Sequence, residues 1–395
     1  MKSPQPPAGY LDAVGGQPLH PAARDAWLAA AEQGWADPAR LHTRGRRAGM
    51  LLDAARASIA TIVGVRPADV FLASSGSAAL AAAITGVRDG RRRVSARVIA
   101  SSVESMAVLS AAGWDPESGD DDADARDADV HNTDARDGLT LVPVDALGRV
   151  DVDAYRDALS SPAALACLQA ANAEVGTRQP IEEVHEWARN QGIPLVVDAT
   201  QVMGRDPVPT AWDILTGSAR DWGGPAGVAF LAVRPAVRWI PQEAPDRGWV
   251  GGFPDIAGAV AAATALEHVE AERASESARS RLLIDLLRRE LPSTVPGLRL
   301  AGDPDDRLPH ILTFAIDGVA GETVVTELSK RDVDVASGSA CTSDARMPSH
   351  VLDAMGLRAD ASVRVSLPLG VSEASVQRLI QELPHAVATA HAARG

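Results

Sequence analysis

The sequence predicts an α/β fold with a mainly parallel sheet. Short apolar runs alternate with helix-like stretches, most clearly where the helical EEVHEWARNQG precedes the strand-like IPLVVDATQ. Further apolar runs begin at Val70, Arg97, Ala163 and Gly227, with room between them for crossover helices. A chain of 395 residues, 46% of them hydrophobic, can form one large core and a smaller one.

Three segments are predicted from this pattern. Residues 1–18 should pack with a small domain, and residues 19–256 should form the large domain, which includes an acidic loop at 115–137. Residues 257–395 should supply a long linking helix, rich in Ala, Glu and Arg, and a small α+β domain. In the small domain we expect a strand at HILTFAIDG, a helix around ETVVTELSKRD, a strand at VDVAS and a C-terminal helix from about Ser372.

Composition excludes several classes of function. The formal net charge is −14, and the loop 115–137 contributes eight of these charges, since it has ten acidic residues against Arg126 and Arg136. Such a stretch is typical of a solvated loop. The only dense basic cluster is Arg91–Arg93, so no nucleic-acid partner is expected. No apolar run of about 18 residues and no signal-peptide pattern is present, which favours a cytoplasmic protein without a membrane partner.

Polar residues that follow apolar runs are the first candidates for a site, because ligands of open α/β sheets bind at the carboxyl ends of strands. Asp198 ends LVVD, with Gln201 three residues later, and Asn172 and Glu174 follow CLQAA. Asp198 could pair with a cationic ligand atom or serve as a loop or cap acid. Asn172 and Glu174 could orient a ligand or complete a turn.

Three further features have both a functional and a structural explanation. The turn Ser74–Ser77 before an Ala-rich helix could bind an anion or be an ordinary strand-to-helix turn. Arg364, in ASVRVSL, could bind a carboxylate or form a salt bridge. Cys341 lies in the polar stretch VASGSACTSDARMPSHVL, where a reactive role competes with a passive one, whereas Cys167 in AALACLQ is predicted to be a core residue. The nine histidines and two cysteines show no metal-ligand spacing, so no metal is expected.

Taken in order, these motifs resemble the cysteine desulfurases of the class V aminotransferase family, from Tyr10 to about Leu383. The resemblance implies fold-type I of the transferases that use pyridoxal 5′-phosphate (PLP), with a sheet of the seven-stranded type, a small α+β domain and a homodimer. The matching motifs are YLD at Tyr10, LHTRGRRA at Leu41, ANAEVGTRQP at Ala171, VDATQ at Val197, GGPAGV at Gly223, PHI at Pro309, SGSACTS at Ser337, PSHVL at Pro348 and VRVSL at Val363.

The resemblance also implies roles for individual residues. Asp198 would hold the pyridine nitrogen of PLP, Gln201 its ring hydroxyl, and Asn172 would orient the ring or substrate. Arg364 would bind the carboxylate of L-cysteine, and Cys341 would accept its sulfur as a persulfide. The other positions that align with the cofactor site are Gly76, Ser77, Ser105, Ser218 and Arg220.

The departures from the family pattern lie in the cofactor site. Asp221 stands where the family has the lysine that forms an imine with PLP, and a carboxylate cannot form that bond. Ser105 replaces a ring-stacking histidine, Ala78 replaces a phosphate-binding threonine, and Phe253 aligns near a threonine that the partner subunit supplies. Without the lysine, covalently bound PLP is not expected. Each lost non-covalent contact costs about 1 kcal/mol or more, so tight binding of PLP is not favoured.

Three functional hypotheses follow. The first is a PLP-independent pseudoenzyme that relays sulfur through Cys341 to an acceptor protein, or that regulates an active desulfurase by pairing with it. The second is an active cysteine desulfurase that makes L-alanine and a persulfide from L-cysteine with non-covalent PLP, in which Asp221 or a water is the catalytic proton shuttle. The third is chemistry on another ligand, with Arg220 and Asp221 as an ion pair and Trp222 as an apolar wall.

Overall fold

The computed structural model describes residues 5–114, 138–337 and 349–392. Strands and helices alternate from Val70 to Asp198, as the sequence predicts, and three further strands follow before the longest helix. The strands are β1 (Val70–Ala73), β2 (Val98–Ser101), β3 (Leu139–Val142), β4 (Leu165–Gln169), β5 (Leu195–Asp198), β6 (Ile214–Ser218), β7 (Ala229–Val233), β8 (Trp249–Val250), β9 (Leu298–Ala301), β10 (Ile311–Ile316), β11 (Ala336–Ser337) and β12 (Ser362–Ser366). The helices are α1 (Pro21–Gln33), α2 (Thr43–Val63), α3 (Gly76–Arg91), α4 (Met106–Ala112), α5 (Val152–Leu159), α6 (Ile181–Asn190), α7 (Ile256–Thr294), α8 (Gly321–Ser329), α9 (His350–Ala354) and α10 (Glu373–Ala392).

The large sheet has the strand order β3-β2-β4-β5-β6-β7-β1-β8. It is mainly parallel, and β7 alone runs antiparallel to both of its neighbours, β6 and β1. The expected seven-stranded type needs a correction, because within the described residues the two-residue strand β8 adds an eighth strand beside β1. Gly248 and Gly251 flank β8, and so short a segment leaves no apolar run that sequence analysis could detect.

The helices around this sheet follow local sequence rules. The helix α6 buries Ile181, Val184 and Ala188, which recur at helical spacing. Acidic residues in its first turn interact favourably with the positive end of the helix dipole and so stabilise the helix. The helix α3 begins at Ser75, whose side chain accepts a hydrogen bond from the Ala78 N–H at 3.1 Å. This cap fixes the first turn of α3 at the end of β1.

The small sheet is antiparallel, with the order β11-β12-β10-β9. The chain near the N-terminus lies along it, because the Leu11 N–H donates to the Asp334 carbonyl and the Ser366 N–H donates to the Leu11 carbonyl, both at 2.8 Å. Leu11 is buried in the core of this region together with residues from α7, α8 and α10. These contacts agree with the expected packing of residues 1–18, while the domain boundaries themselves remain a prediction.

The helix α7 is one continuous helix of 39 residues that contributes to both cores. Its first half packs Ala262 and Leu266 into the core of the large sheet, and its second half packs Ile284 and Leu287 into the core of the small sheet. Trp222, beside the candidate site, donates its indole N–H to the Ala262 carbonyl at 3.0 Å. The helix therefore connects the small sheet to the residue that follows Asp221 in the chain.

Within the described ranges, none of the helices has the length and apolar character needed to cross a membrane.

Candidate functional site

A cleft of about 470 Å³ opens at the carboxyl ends of β4, β5 and β6, opposite the start of α3. The strand register explains why polar residues meet there, since Gln169 pairs with Asp198 and Asp198 pairs with Thr216. Eight of the residues singled out from the sequence line this cleft. They are Gly76, Ser77, Ser105, Asp198, Gln201, Ser218, Arg220 and Asp221.

Asp198 ends β5 and lies partly exposed in the cleft. One carboxylate oxygen accepts hydrogen bonds from the Thr200 N–H at 3.0 Å and the Thr200 hydroxyl at 2.6 Å. Burial raises the pKa of Asp198, and the hydrogen bonds from Thr200 partly offset the rise. The carboxylate is fixed in direction and able to accept from a cationic donor.

Asp221 lies in the 3₁₀ turn Ala219–Trp222 after β6, where its side chain enters the same cleft and is 7% exposed. The Gln201 side-chain amide donates to Asp221 Oδ1 at 3.2 Å. Burial raises the pKa of Asp221 to about 6, Arg220 and the hydrogen bonds from Ser218 and Gln201 oppose the rise, and the Asp198 charge adds to it. The position predicted to lack an imine-forming amine therefore holds a buried carboxyl group.

Two expectations about this turn are wrong. Arg220 is exposed and forms no ion pair with Asp221, so its charge acts on the carboxylate only from a distance. Trp222 is no wall of the cleft, because it is 1% exposed and packs in the core beside Phe230. The 3₁₀ turn directs neighbouring side chains to different sides, a detail that residue order does not determine.

The opposite end of the cleft is formed by the start of α3. Gly76 lies close to Ser218, since a side chain added at Gly76 would come within 3.2 Å of the Ser218 Cβ. The free backbone N–H groups and the dipole of this 16-residue helix favour an anion at this end. The Ser105 hydroxyl is buried in the cleft and, among the described residues, has no hydrogen-bond partner.

Asn172 and Arg364 do not line the cleft. Asn172 Oδ1 accepts from the Glu174 and Val175 N–H groups, and the side-chain NH₂ of Asn172 donates to the Val103 carbonyl at 3.2 Å, so its side chain completes a buried turn. Arg364 is buried on β12 and donates to Asp12 Oδ1 at 3.0 Å. Its remaining nitrogens, Nε and Nη1, have no partner within the described ranges.

Cys341 and the motif around it lie outside the described residues. The chain on either side is anchored near the cleft. Ser337 is in β11, which pairs with the strand of Arg364, and on the far side His350 Nε2 lies 2.9 Å from the Glu104 carbonyl. Cys167 is a core residue, as predicted, and burial raises the pKa of its thiol well above the usual value.

Sequence reasoning missed three polar residues at this site, namely Glu104, Gln169 and Thr200. Gln169 and Thr200 line the cleft, and Glu104 lies fully buried behind it. Glu104 Oε1 accepts from the Gln169 N–H at 2.8 Å, and burial raises the pKa of Glu104 to about 8. The available signal was positional, because Glu104 and Gln169 lie at or near the carboxyl ends of β2 and β4.

Over the described ranges, no group of three or more His, Cys, Asp or Glu side chains has the arrangement of a metal site.

A layered α/β domain, a small antiparallel sheet and a cleft at the carboxyl ends of parallel strands define a ligand-binding α/β protein. The class V aminotransferase family model matches residues 130–379. An IscS-like cysteine desulfurase of Mycobacterium tuberculosis is 34% identical over 400 residues, covering 97% of both chains. A cysteine desulfurase of Cereibacter sphaeroides is 33% identical over 392 residues, covering 95% of this chain and 94% of the relative.

This chain therefore belongs to the cysteine desulfurase family of the class V aminotransferases. A solved NifS-like protein superimposes with a TM-score of 0.83 at 23% identity, covering 97% of this chain and all of that one. The predicted PLP fold-type I architecture is confirmed by this likeness.

The residues present do not fit PLP held as an imine. The cleft has acceptors suited to a protonated ring nitrogen and a helix start suited to a phosphate, but Asp221 supplies a carboxylate where an amine is required. Members of this family use PLP, and this chain differs from them at Asp221, where they have the lysine that binds PLP covalently.

Proposed function

We propose that this protein transfers sulfur through Cys341 and has no cofactor bound covalently at Asp221. The observation that carries the proposal is the buried carboxyl group of Asp221 in the cleft. No lysine on a neighbouring element replaces it, because Lys330 lies in the small-sheet region and pairs with Glu327 at 2.6 Å. The other lysine, Lys2, lies outside the described residues.

The anchors that flank the cysteine loop support a role for Cys341 near the cleft. Ser337 pairs across the sheet with Val363, next to Arg364, and the Ser349 hydroxyl donates to the Glu174 carboxylate. The described flanks of this polar stretch are therefore held by contacts to the strand of Arg364 and to Glu104, which supports a role for the Cys341 thiol at this site.

The proposed step is a relay. The thiolate of Cys341 attacks the terminal sulfur of a persulfide on an active desulfurase partner, so that a new S–S bond forms as the donor S–S bond breaks. The donor leaves as a thiolate, and Cys341 becomes the persulfide. The persulfide then passes its sulfur to an acceptor protein in the same way, so no external oxidant or reductant is needed.

A second candidate is conversion of L-cysteine to L-alanine with non-covalently held PLP. Asp198 and Gln201 in the cleft favour it, whereas Arg364, the residue expected to bind the substrate carboxylate, does not line the cleft. Asp221 weighs against it, since that position lacks the amine that would hold the cofactor.

The deciding experiment is a sulfur-transfer assay. The purified protein is mixed with a persulfide-loaded desulfurase, separated from it, and analysed by mass spectrometry for one added sulfur atom on Cys341. Replacement Cys341→Ser should abolish the gain, and Cys167→Ser should keep it. No added sulfur on Cys341 would refute the relay, and alanine produced from cysteine and PLP by the protein alone would favour the second candidate.

We also propose a cytoplasmic homodimer. Large apolar side chains are exposed on neighbouring elements around the α1–α2 connection and the start of α7, including Trp35 at 64%, Leu41 at 85% and Phe253 at 62% exposure. A second copy of the chain would cover this face. Light scattering of the Leu41→Glu variant should then show a smaller mass than the unmodified protein.

A further inference from the structure

Two carboxylate groups, those of Asp198 and Asp221, line the cleft. Asp221 stands at the position where the family has the lysine that binds the reactive group of the cofactor. Asp221 is 7% exposed, and the partly exposed Asp198 lines the same cleft. Asp221 receives a neutral hydrogen bond from Gln201 at 3.2 Å, and the neutral Ser218 side chain also acts to lower the pKa of its carboxyl group. Neutral donors compensate a buried charge only in part.

The positive charge near this carboxylate is poorly placed to neutralise it. Arg220 is exposed and makes no ion pair with Asp221. Arg205 is buried, and the negative charge of Asp221 acts to raise its pKa. Arg205 makes no hydrogen bond with Asp221, and its three guanidinium nitrogens have no partner in the described residues. The floor of the cleft therefore lacks a cation in direct contact with Asp221.

The opposite end of the cleft has the reverse polarity. Gly76 and Ser77 bring the start of α3 to the cleft, and the Ser105 hydroxyl there has no partner among the described residues. An occupant with an anionic group at α3 and an ammonium group at Asp221 would match both ends.

We propose that this cleft selects a phosphorylated pyridine that carries a primary ammonium group, such as pyridoxamine 5′-phosphate, over the corresponding aldehyde. The ammonium would pair with Asp221, the protonated ring nitrogen with Asp198, and the phosphate with the first turn of α3. The aldehyde offers no positive charge to Asp221 and finds no amine with which to bond. The inference depends on the proposed absence of a covalent cofactor and names the ligand of that site.

Affinity for the ammonium ligand should depend on the charge of Asp221. The groups that face this carboxyl are Asp198 from β5, Arg220 from the same turn, and Arg205, with Gln201 and Ser218 as neutral donors. Since burial raises the pKa of Asp221 to about 6, affinity should fall as the pH drops below that value.

Calorimetric titration tests the inference. Pyridoxamine 5′-phosphate should bind roughly tenfold to hundredfold more tightly than PLP or 4′-deoxypyridoxine 5′-phosphate, the range expected for a charged hydrogen bond. The variant Asp221→Asn should lose most of this preference, and the matched control Asp157→Asn, at an exposed position on α5, should keep it. Pyridoxamine without phosphate should bind more weakly than its phosphate.

Equal or tighter binding of PLP to the unmodified protein, or no binding of either vitamer, would overturn the inference. If Asp221→Asn does not fold, the pH dependence of the unmodified protein decides, because the preference over the deoxy analogue must shrink below about pH 6. Failure here leaves the sulfur-transfer assay on Cys341 unaffected, so the two proposals fail separately.

Discussion

Replacing Asp221 with asparagine should stabilise the ligand-free protein. The group is 7% exposed, and burial raises its pKa from 3.8 to about 6. At about 1.4 kcal/mol for each tenfold change in proton affinity, keeping this carboxylate charged costs the folded protein about 3 kcal/mol. Asparagine has the same shape without the charge, so we expect a gain of about 2–3 kcal/mol at pH 8.

The two pKa values of Asp221 determine how its effect on stability changes with pH. Because the folded-state pKa is the higher one, the folded protein binds more protons than the unfolded chain between pH 3.8 and about 6. Stability due to Asp221 therefore decreases as pH rises through that window, and the loss is complete above it. The advantage of the asparagine variant should shrink to about half at pH 5.

Urea unfolding at pH 5 and pH 8 measures both effects. The control Asp157→Asn changes an exposed aspartate for which burial costs nothing, so it should alter stability little at either pH. A variant at Asp221 that is no more stable than the unmodified protein at pH 8, or whose advantage is the same at both values, would refute the reasoning.

Three other predictions concern the site and its supports. The variant Asp221→Lys should gain a visible absorption band with PLP, and borohydride should fix PLP to the introduced lysine. If no covalent product forms, the lysine is not the only contact that this site needs in order to bind PLP. Native protein should react with iodoacetamide at Cys341 and not at the buried Cys167, as judged by mass spectrometry; equal labelling would contradict the burial of Cys167. The change Asp12→Ala removes the 3.0 Å partner of Arg364 and should lower the urea unfolding free energy by about 2–3 kcal/mol, below the range for fully buried pairs because Asp12 is partly exposed; an unchanged free energy would show that the pair contributes nothing.

Much of the fold could be predicted from the sequence because its elements have strong local signals. The apolar runs that became β1, β2, β4, β5 and β7 are rich in residues that suit a buried sheet. The strand β6 was not anticipated, since ILTGS mixes apolar and small polar residues and is held in place by pairing with β5 and β7. Its position in the sheet depends on long-range contacts that a local pattern does not contain.

The residues of the candidate site also divide into those that a local pattern predicts and those whose position depends on long-range packing. Residues at or just after the end of a strand, such as Asp198 and Gln201, lie in the cleft because the sheet aligns strand ends. Glu104 was missed as a buried acid, since its burial comes from packing against Gln169 and the start of α9. The roles of Asn172 and Arg364 stay predictions, because in this structure their side chains contact the protein and do not reach the cleft.

The continuous helix α7 limits how the two sheets can move. Its 39 residues extend for about 58 Å, and no loop interrupts it between the large core and the small one. A tilt of the small sheet, which carries Arg364, must therefore bend α7, and bending shifts the Ala262 carbonyl that holds Trp222 next to Asp221. Because this one helix packs in both cores, we expect the two cores to unfold in a single cooperative transition.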